Sequence, residues 1–143
     1  MNFYETMLLK KANNGGINLL GENSLAFKKC LEDTLTSITE DMLDGISTIR
    51  NYAFYSCAHL ESVTIPSSVT NMGSWTFFNC ISLTTINMLS QTPPTIGVNA
   101  LQSVSIELKI YVPAGTLQVY RTAPGWSAYG SRIVEADNLP EVL

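Results

Sequence analysis

The chain has 143 residues, a length that suits one domain with a buried core. Hydrophobic residues make up 45% of the sequence and charged residues 14%, a balance typical of a folded protein and not of a disordered tail. The net charge is −4, and the cationic residues are scattered along the chain. Because nucleic acids and anionic membranes are bound by clustered Lys and Arg, the composition disfavours both as partners.

Residues 1–22 are predicted to form a short helix followed by a glycine-containing joint. Phe3, Tyr4, Met7 and Leu8 share one helical face, and residues 13–16 break the helix. The lysines follow the apolar stretch, the wrong order for a signal peptide, and no run approaches the ~20 apolar residues of a membrane span. We therefore expect no export signal and no membrane insertion. Whether the helix caps the first repeat or docks to a partner stays open.

An internal repeat dominates the middle of the chain. A motif of a small residue, phenylalanine, two variable residues and cysteine recurs along it, with a degenerate last copy that has Leu and Val instead. The copies occupy residues 26–30, 53–57, 76–80 and 100–104. When residues 46–68 are laid over residues 69–91, every apolar position falls on an apolar position, including Tyr52 on Trp75. A unit this short cannot bury its own apolar face, so the repeat predicts stacked units.

Each unit contains a second pattern, in which apolar residues alternate with polar ones. It occupies residues 60–65 and 83–88, and it predicts a short strand of a parallel sheet. Pro66 ends the first of these strands because it cannot donate a hydrogen bond to a neighbouring strand. The motif around the phenylalanine is predicted to form a helical or 3-10 turn on the opposite wall.

The unit at residues 49–69 resembles the short bacterial leucine-rich repeats called BspA-like, which read roughly I-x-x-x-A-F-x-x-C-x-x-L-x-x-V-x-I-P-x-x-V. It carries Ile49, Ala53, Phe54, Cys57, Leu60, Val63, Ile65, Pro66 and Val69 at the matching positions. The resemblance covers about residues 26–134. It implies an α/β fold, a short right-handed leucine-rich-repeat solenoid with a parallel sheet of short strands, helical or 3-10 turns, and a cap at each end.

We therefore expect about four repeat units in residues 23–107, between an N-terminal cap at 1–22 and a C-terminal strand-helix cap at 108–143. In the C-terminal cap, residues 108–113 alternate like a strand and residues 114–122 have helical spacing. Trp126, with Tyr120 and Tyr129, is interpreted as a hydrophobic lid on the last unit, with an aromatic binding patch as the alternative.

The cysteines and the single histidine predict no chemistry. Cys30, Cys57 and Cys80 occupy the same position of the repeat, and their spacing matches no zinc or redox motif. We expect them to form a buried ladder of reduced thiols. His59 lies at a variable position, without the neighbouring motif that a nucleophile requires.

The densest acidic cluster, Glu40, Asp41 and Asp44, follows Thr39 and is interpreted as the start of a helix, where carboxylates favour the positive end of the dipole. A cation site is the disfavoured alternative, since the EF-hand pattern is absent. The sequence therefore predicts no catalytic residue, no cofactor and no metal, and we expect the protein not to be an enzyme.

Polar residues that alternate with the core of the predicted strands form a candidate partner face. Its members are Glu61, Ser62, Thr64, Thr84, Thr85 and Asn87. This neutral, hydroxyl-rich face suits a protein or glycan surface better than a charged polymer. It is small, so useful affinity would favour several copies acting together, and a homo-oligomer stays open.

These patterns favour a non-enzymatic binding or structural module. The N-terminal segment also resembles the start of small structural proteins from phage tail modules, which implies attachment to a tail or baseplate. The alternative is a fragment of a bacterial cell-surface adhesin, and an enzyme is the least favoured hypothesis. The expected location is accordingly the virion, the cell surface if a leader was removed, or otherwise the cytoplasm.

Overall fold

The structure is a computed structural model that describes residues 35–136. The predicted N-terminal domain at residues 1–22 and the first copy of the repeat motif, with Phe27 and Cys30, lie outside the described residues. The predictions made for those segments therefore stay predictions.

The described chain consists mainly of short strands joined by turns. The strands are β1 (Ser37–Ile38), β2 (Thr48–Ile49), β3 (Ser62–Ile65), β4 (Asn71–Met72), β5 (Thr85–Met88), β6 (Thr95–Ile96), β7 (Lys109–Val112) and β8 (Ile133–Glu135). Helical segments are short: the 3-10 helices Glu40–Leu43 and Ser127–Arg132, and the α-helix α1 (Leu117–Thr122). Glu40 and Asp41 lie in the first turn of the first 3-10 helix, with Thr39 at its N-cap, as the sequence predicts.

The strands form two parallel sheets, with strand orders β1-β3-β5-β7-β8 and β2-β4-β6. Neighbouring strands come from successive units, so Ser62 pairs with Thr85 and Thr64 with Asn87, the same partners that the repeat alignment gives. In β3 and β5 every second residue is buried, because side chains alternate between the two faces of a strand. Parallel sheets with few, short helices fit an α/β repeat fold, and the register predicted from the repeat is confirmed.

The segments around Phe54 and Phe77 form consecutive hydrogen-bonded turns, so the prediction of a helical or 3-10 turn is wrong for these two units. Tyr52 and Ser56 in one unit have φ of 61° and 59°, and the equivalent residues of the next unit lie in the same left-handed region. A left-handed residue interrupts the regular dihedral angles of a right-handed helix. The Phe54 N–H donates to the carbonyl of Thr76 at 2.9 Å, which joins this wall to the next unit.

The core contains the interior column that the repeat predicts. Phe54 and Phe77 are fully buried, and their rings stack with a centroid distance of 5.3 Å and an interplanar angle of 8°. Leu101, at the same position of the degenerate unit, is buried in the same core. The prediction of one interior column is thus confirmed for Phe54 and Phe77, and Leu101 is buried as the prediction requires.

The two cysteines described by the structure differ from each other. Both are buried, and Cys80 keeps a free thiol whose Sγ donates to the Phe54 carbonyl at 3.2 Å. Cys57 is disulfide-bonded, so the prediction of a ladder of reduced thiols is wrong at this position. Equivalent positions in a repeat share an environment, but their spacing alone does not set the oxidation state of the sulfur.

Side-chain oxygens accept backbone N–H groups of the next unit in the turns that precede Phe54, Phe77 and Leu101. Asn51 Oδ1 accepts the N–H of Ser74 at 2.8 Å, and Ser74 Oγ accepts the N–H of Val98 at 3.2 Å. Gly73 and Gly97 precede the two donors, and a Cβ at either glycine would overlap the backbone of the preceding unit. Val98 has no side-chain acceptor, so these hydrogen bonds end in the last unit.

The C-terminal aromatic residues are fixed by polar as well as apolar contacts. Tyr120 and Trp126 are buried, and their rings pack edge to face at 5.3 Å. The Tyr120 hydroxyl donates to the Ser90 carbonyl and Trp126 Nε1 donates to the Pro94 carbonyl, both at 2.8 Å. The predicted strand and helix of this region are present as β7 and α1.

Candidate binding surfaces

The outer face of the larger sheet brings together four of the predicted partner residues. Ser62 lies beside Thr85 and Thr64 beside Asn87 in the register of β3 and β5. All four are partly exposed and alternate with buried residues of the same strands. The structure thus places these four side chains on one surface, as two short rows that run across the strands.

The other two predicted residues lie where the strands begin. Glu61 and Thr84 directly precede β3 and β5, and both are exposed. The Glu61 carbonyl accepts the Thr84 N–H at 3.0 Å and the Thr84 hydroxyl at 3.3 Å. The Thr84 hydroxyl therefore contributes to unit stacking, and the pair borders the rows instead of forming part of them.

Two residues of the next strand extend the rows but were missed by the sequence analysis. Lys109 lies beside Thr85, and Tyr111 beside Asn87, in the register of β5 and β7. The sequence predicts their strand. The unit from β5 to β7 is longer than the unit from β3 to β5, however, so the repeat alignment does not place Lys109 and Tyr111 beside Thr85 and Asn87. We call Ser62, Thr64, Thr85, Asn87, Lys109 and Tyr111 together the sheet face.

The centre of the sheet face contains an unsatisfied polar atom. Asn87 Nδ2 donates weakly to Thr64 Oγ1 at 3.4 Å, and Asn87 Oδ1 is buried without a hydrogen-bond partner. Such an atom costs about 1–3 kcal/mol of desolvation that no hydrogen bond offsets.

A second surface consists of aromatic rings on the turn wall, and we call Tyr52, Tyr55, Trp75 and Phe78 the aromatic surface cluster. Tyr52 and Trp75 lie parallel, at 4° and 6.1 Å between centroids, and Tyr55 and Phe78 form a second near-parallel pair at 15° and 5.3 Å. The two rings of one unit are tilted against each other, with centroids 5.6 Å apart for Tyr52 and Tyr55 and 4.9 Å apart for Trp75 and Phe78. The four rings thus form a two-by-two array.

The aromatic surface cluster is exposed, which the repeat alignment does not show. Tyr52 is 40% exposed and Tyr55 37%, while Trp75 and Phe78 are half-buried. The alignment pairs Tyr52 with Trp75 as apolar positions, and the structure places this pair at the surface of the turn wall. The signal that could have separated them is the adjacent unit, where Asn99 occupies the position of Trp75.

Trp75 and Phe78, and four members of the sheet face, lie in a segment that is poor in charge. Between Glu61 and Glu107 the sequence contains no Asp, Glu, Lys, Arg or His. Tyr52 and Tyr55 lie outside this segment, and Arg50 precedes Tyr52 by two residues. Among the residues that make up the two surfaces, only Lys109 is charged.

The remaining candidate residues form no reactive site within residues 35–136. Burial raises the pKa of the Cys80 thiol to about 12, so the free thiol is protonated and poorly nucleophilic at neutral pH. No group of three or more potential metal ligands lies together in this part of the chain. His59 is exposed on the turn that follows Cys57.

The comparison with protein families identifies the repeat. A model of the BspA type leucine rich repeat region matches residues 3–123, with six copies of the unit. The chain belongs to this family. The match begins at residue 3, well before residue 26, at which the resemblance read from the sequence begins. It gives no support to the resemblance between the N-terminal segment and phage-tail proteins.

Membership of the BspA-type family indicates a repeat-based binding or structural module, a class that is typically non-enzymatic. A comparison with curated proteins found no significant match. Within the part of the chain that the structure describes, no helix is long and apolar enough to span a bilayer.

Proposed function

We propose that this BspA-type chain is a non-enzymatic recognition module that binds a protein partner through its sheet face. In this proposal the units form a short right-handed solenoid, and the sheet face is the surface presented to the partner. The observation that carries the proposal is the register that aligns polar side chains of β3, β5 and β7 into continuous rows.

The composition of the sheet face supports a protein partner. Tyr111 is a partly exposed aromatic residue of a fixed strand, and tyrosine is enriched among residues that dominate binding energy. Threonine, serine and asparagine side chains around it are partly exposed and offer neutral donors and acceptors. Lys109 adds one charge at the edge, where it can select a partner by electrostatic complementarity.

We also propose that the C-terminal segment closes the solenoid. The buried rings of Tyr120 and Trp126 pack together and hydrogen-bond to carbonyls of residues 90 and 94, which belong to the preceding unit. A stacked repeat would otherwise expose the apolar edge of its last unit, so a terminal segment of this kind is expected. In this proposal these rings stabilise the fold and do not bind a ligand.

The experiment replaces Tyr111 by a photo-reactive phenylalanine analogue in the full chain and cross-links it to two preparations: bacterial surface proteins and purified phage particles. A partner identified in this way is then measured against the Thr64→Lys/Thr85→Lys variant. We expect the dissociation constant to rise at least ~10-fold, which corresponds to the loss of about 1.4 kcal/mol at a well-packed contact.

The matched control is Gln102→Lys, which adds a lysine at an exposed position of the turn wall. It should bind like the unmodified chain. Equal binding by the sheet-face variant and the control would contradict the proposal. Cross-links to surface proteins alone would favour the adhesin hypothesis, and cross-links to virion components alone would favour the tail hypothesis.

A further inference from the structure

We propose that the aromatic surface cluster is a second binding site, and that its ligand is a neutral polysaccharide. The site lies on the turn wall and involves neither the residues nor the partner class of the proposed function. It therefore goes beyond that function and can be tested independently of it.

The first argument is that the fold does not require aromatic residues at these positions. In the next unit Asn99 takes the place of Trp75, with φ of 55° against 61°, and Gln102 takes the place of Phe78. The stacking hydrogen bonds of the wall still form, since Trp75 N–H donates to the carbonyl of Val98 at 3.0 Å. A polar residue thus serves the same backbone position equally well.

The second argument is that Tyr52 and Trp75 occupy a backbone conformation that disfavours them. Both have φ of 61°, in the left-handed region, where Asn and Gly are favoured and bulky side chains are rare. Residues held in such a conformation are concentrated at functional sites. Two aromatic residues kept there, next to a unit that has asparagine, indicate a role outside the stability of the fold.

The third argument is the geometry of the rings. Parallel rings in direct face-to-face contact have closer centroids than the 6.1 Å between Tyr52 and Trp75, so these rings are not in full face-to-face contact. Part of a face is therefore left uncovered, consistent with the 40% exposure of Tyr52. Ring faces carry negative electrostatic potential, and the C–H groups of a sugar ring are weakly positive, so the two surfaces are complementary.

The fourth argument is the low charge around the rings. No charged residue occurs between Glu61 and Glu107, the segment that contains Trp75 and Phe78, and Arg50 is the one charged residue within five positions of Tyr52 or Tyr55. Polar groups beside the rings are neutral, such as Asn79 Nδ2, which donates to Ser56 Oγ at 3.3 Å. Amides and hydroxyls exchange hydrogen bonds with sugar hydroxyls without the desolvation cost of a buried charge. The sequence around the rings offers no cluster of cations to an anionic polymer, and a protein partner would usually meet charged residues at the rim of its interface.

The array also repeats, which suits a polymer. Equivalent rings of two successive units lie 5.3 and 6.1 Å apart, so a ligand with its own repeating unit can engage both pairs at once. Contacts made along one ligand chain add to the affinity without new types of interaction. A polysaccharide has this property, whereas a single sugar would contact one pair of rings.

The test is affinity electrophoresis of the full chain in native gels that contain a soluble neutral β-glucan, mannan or xylan. We expect at least one of the three polysaccharides to retard the chain, and the retardation to persist at high salt because no ion pair is involved. The variant Trp75→Asn/Phe78→Gln copies the residues of the adjacent unit, so it should fold normally. Its apparent affinity should fall at least ~10-fold.

A second readout follows from the positions of the two tryptophans. Trp126 is 1% exposed, whereas Trp75 lies in the aromatic surface cluster, so acrylamide quenching reports mainly on Trp75. The polysaccharide that retards the chain should protect this fluorescence. The Thr64→Lys/Thr85→Lys variant should be retarded and protected like the unmodified chain, which separates the two sites.

The proposal is overturned if none of the three polysaccharides retards the chain. It is also overturned if the Asn/Gln variant, folded by circular dichroism, is retarded equally. Stronger binding of an anionic polysaccharide such as polygalacturonate would overturn it as well. Loss of protein binding alone in that variant would assign the aromatic surface cluster to a protein partner and contradict the glycan assignment.

Discussion

Two columns of side chains run through the turns of the three described units, at positions two residues apart. In the third of these units the aromatic ring of each column is replaced, and the two columns differ in the residue that replaces it. The interior column consists of Phe54, Phe77 and Leu101, and all three are buried. The surface column has Tyr52 and Trp75 and then Asn99. Where an apolar residue replaces the ring, core packing requires an apolar side chain at that position. Where a polar residue replaces it, core packing has no such requirement. The substitute residue in a degenerate unit therefore distinguishes a structural position from a candidate functional one.

The largest expected effect is at the interior column. Phe77→Ala should lower the free energy of unfolding by about 3–5 kcal/mol, because it removes a fully buried ring and leaves a cavity beside Phe54. Urea unfolding followed by circular dichroism measures the change. Phe77→Leu, which copies Leu101, is the control and should cost less than the alanine variant, because leucine refills part of the cavity. A loss under about 0.5 kcal/mol for the alanine variant would place Phe77 outside the core.

A second difference between the interior and the surface concerns pH. Burial raises the pKa of the Cys80 thiol from its ordinary 9.0 to about 12, so between these values the unfolded chain has lost a proton that the folded chain retains. Stability should be constant below pH 9 and fall as the pH rises from 9 towards 12. The buried Tyr120 hydroxyl, whose pKa is also raised by desolvation, acts in the same direction.

Urea unfolding at pH 7.5, 9 and 10.5 measures this effect, and Cys80→Ala should reduce the slope. Iodoacetamide provides a direct check, since at pH 8 it should alkylate Cys80 slowly in the folded chain and rapidly in urea. Equal alkylation rates in the two states would show that the thiol is accessible, and the buried cysteine position would then need revision.

The smallest expected effect is at the surface column. Trp75→Asn should lower the free energy of unfolding by less than the about 3–5 kcal/mol of Phe77→Ala. The lost stacking costs roughly 0.5–1.5 kcal/mol beyond the lost burial of a half-buried ring, and relief of the left-handed conformation offsets part of this, by up to about 1–2 kcal/mol. The same urea titration gives the value. A loss comparable to that of Phe77→Ala would show that the ring belongs to the core, and the two columns would no longer differ.

The sequence predicts most of the fold because buried positions recur with a fixed spacing. The pairing of Ser62 with Thr85 and the stack of Phe54 on Phe77 both follow from the constant offset between the two units. The same offset does not tell which side of the chain a position faces, so the alignment of Tyr52 with Trp75 does not show that both rings lie at the surface. Left-handed turns hide this distinction, because they redirect a side chain without changing the spacing.

The sheet face shows a second limit of the repeat. Ser62, Thr64, Thr85 and Asn87 were predictable as alternate residues of regular strands. Lys109 and Tyr111 were not, since the longer unit between β5 and β7 shifts them out of the register of the earlier units. The second sheet was not predicted either, because strands as short as β2 cannot show alternation in the sequence.

The acceptors at Asn51 and Ser74 also set how the array can change in length. A duplicated unit inserted ahead of Ser74 would carry its own side-chain oxygen, which could accept the equivalent backbone N–H of the next unit. The array could therefore gain a unit there by gene duplication and keep the same hydrogen bond between units. A unit added after Val98 would lack this hydrogen bond, because the valine side chain has no acceptor atom. Insertions in this lineage should therefore accumulate inside the array and spare its C-terminal boundary.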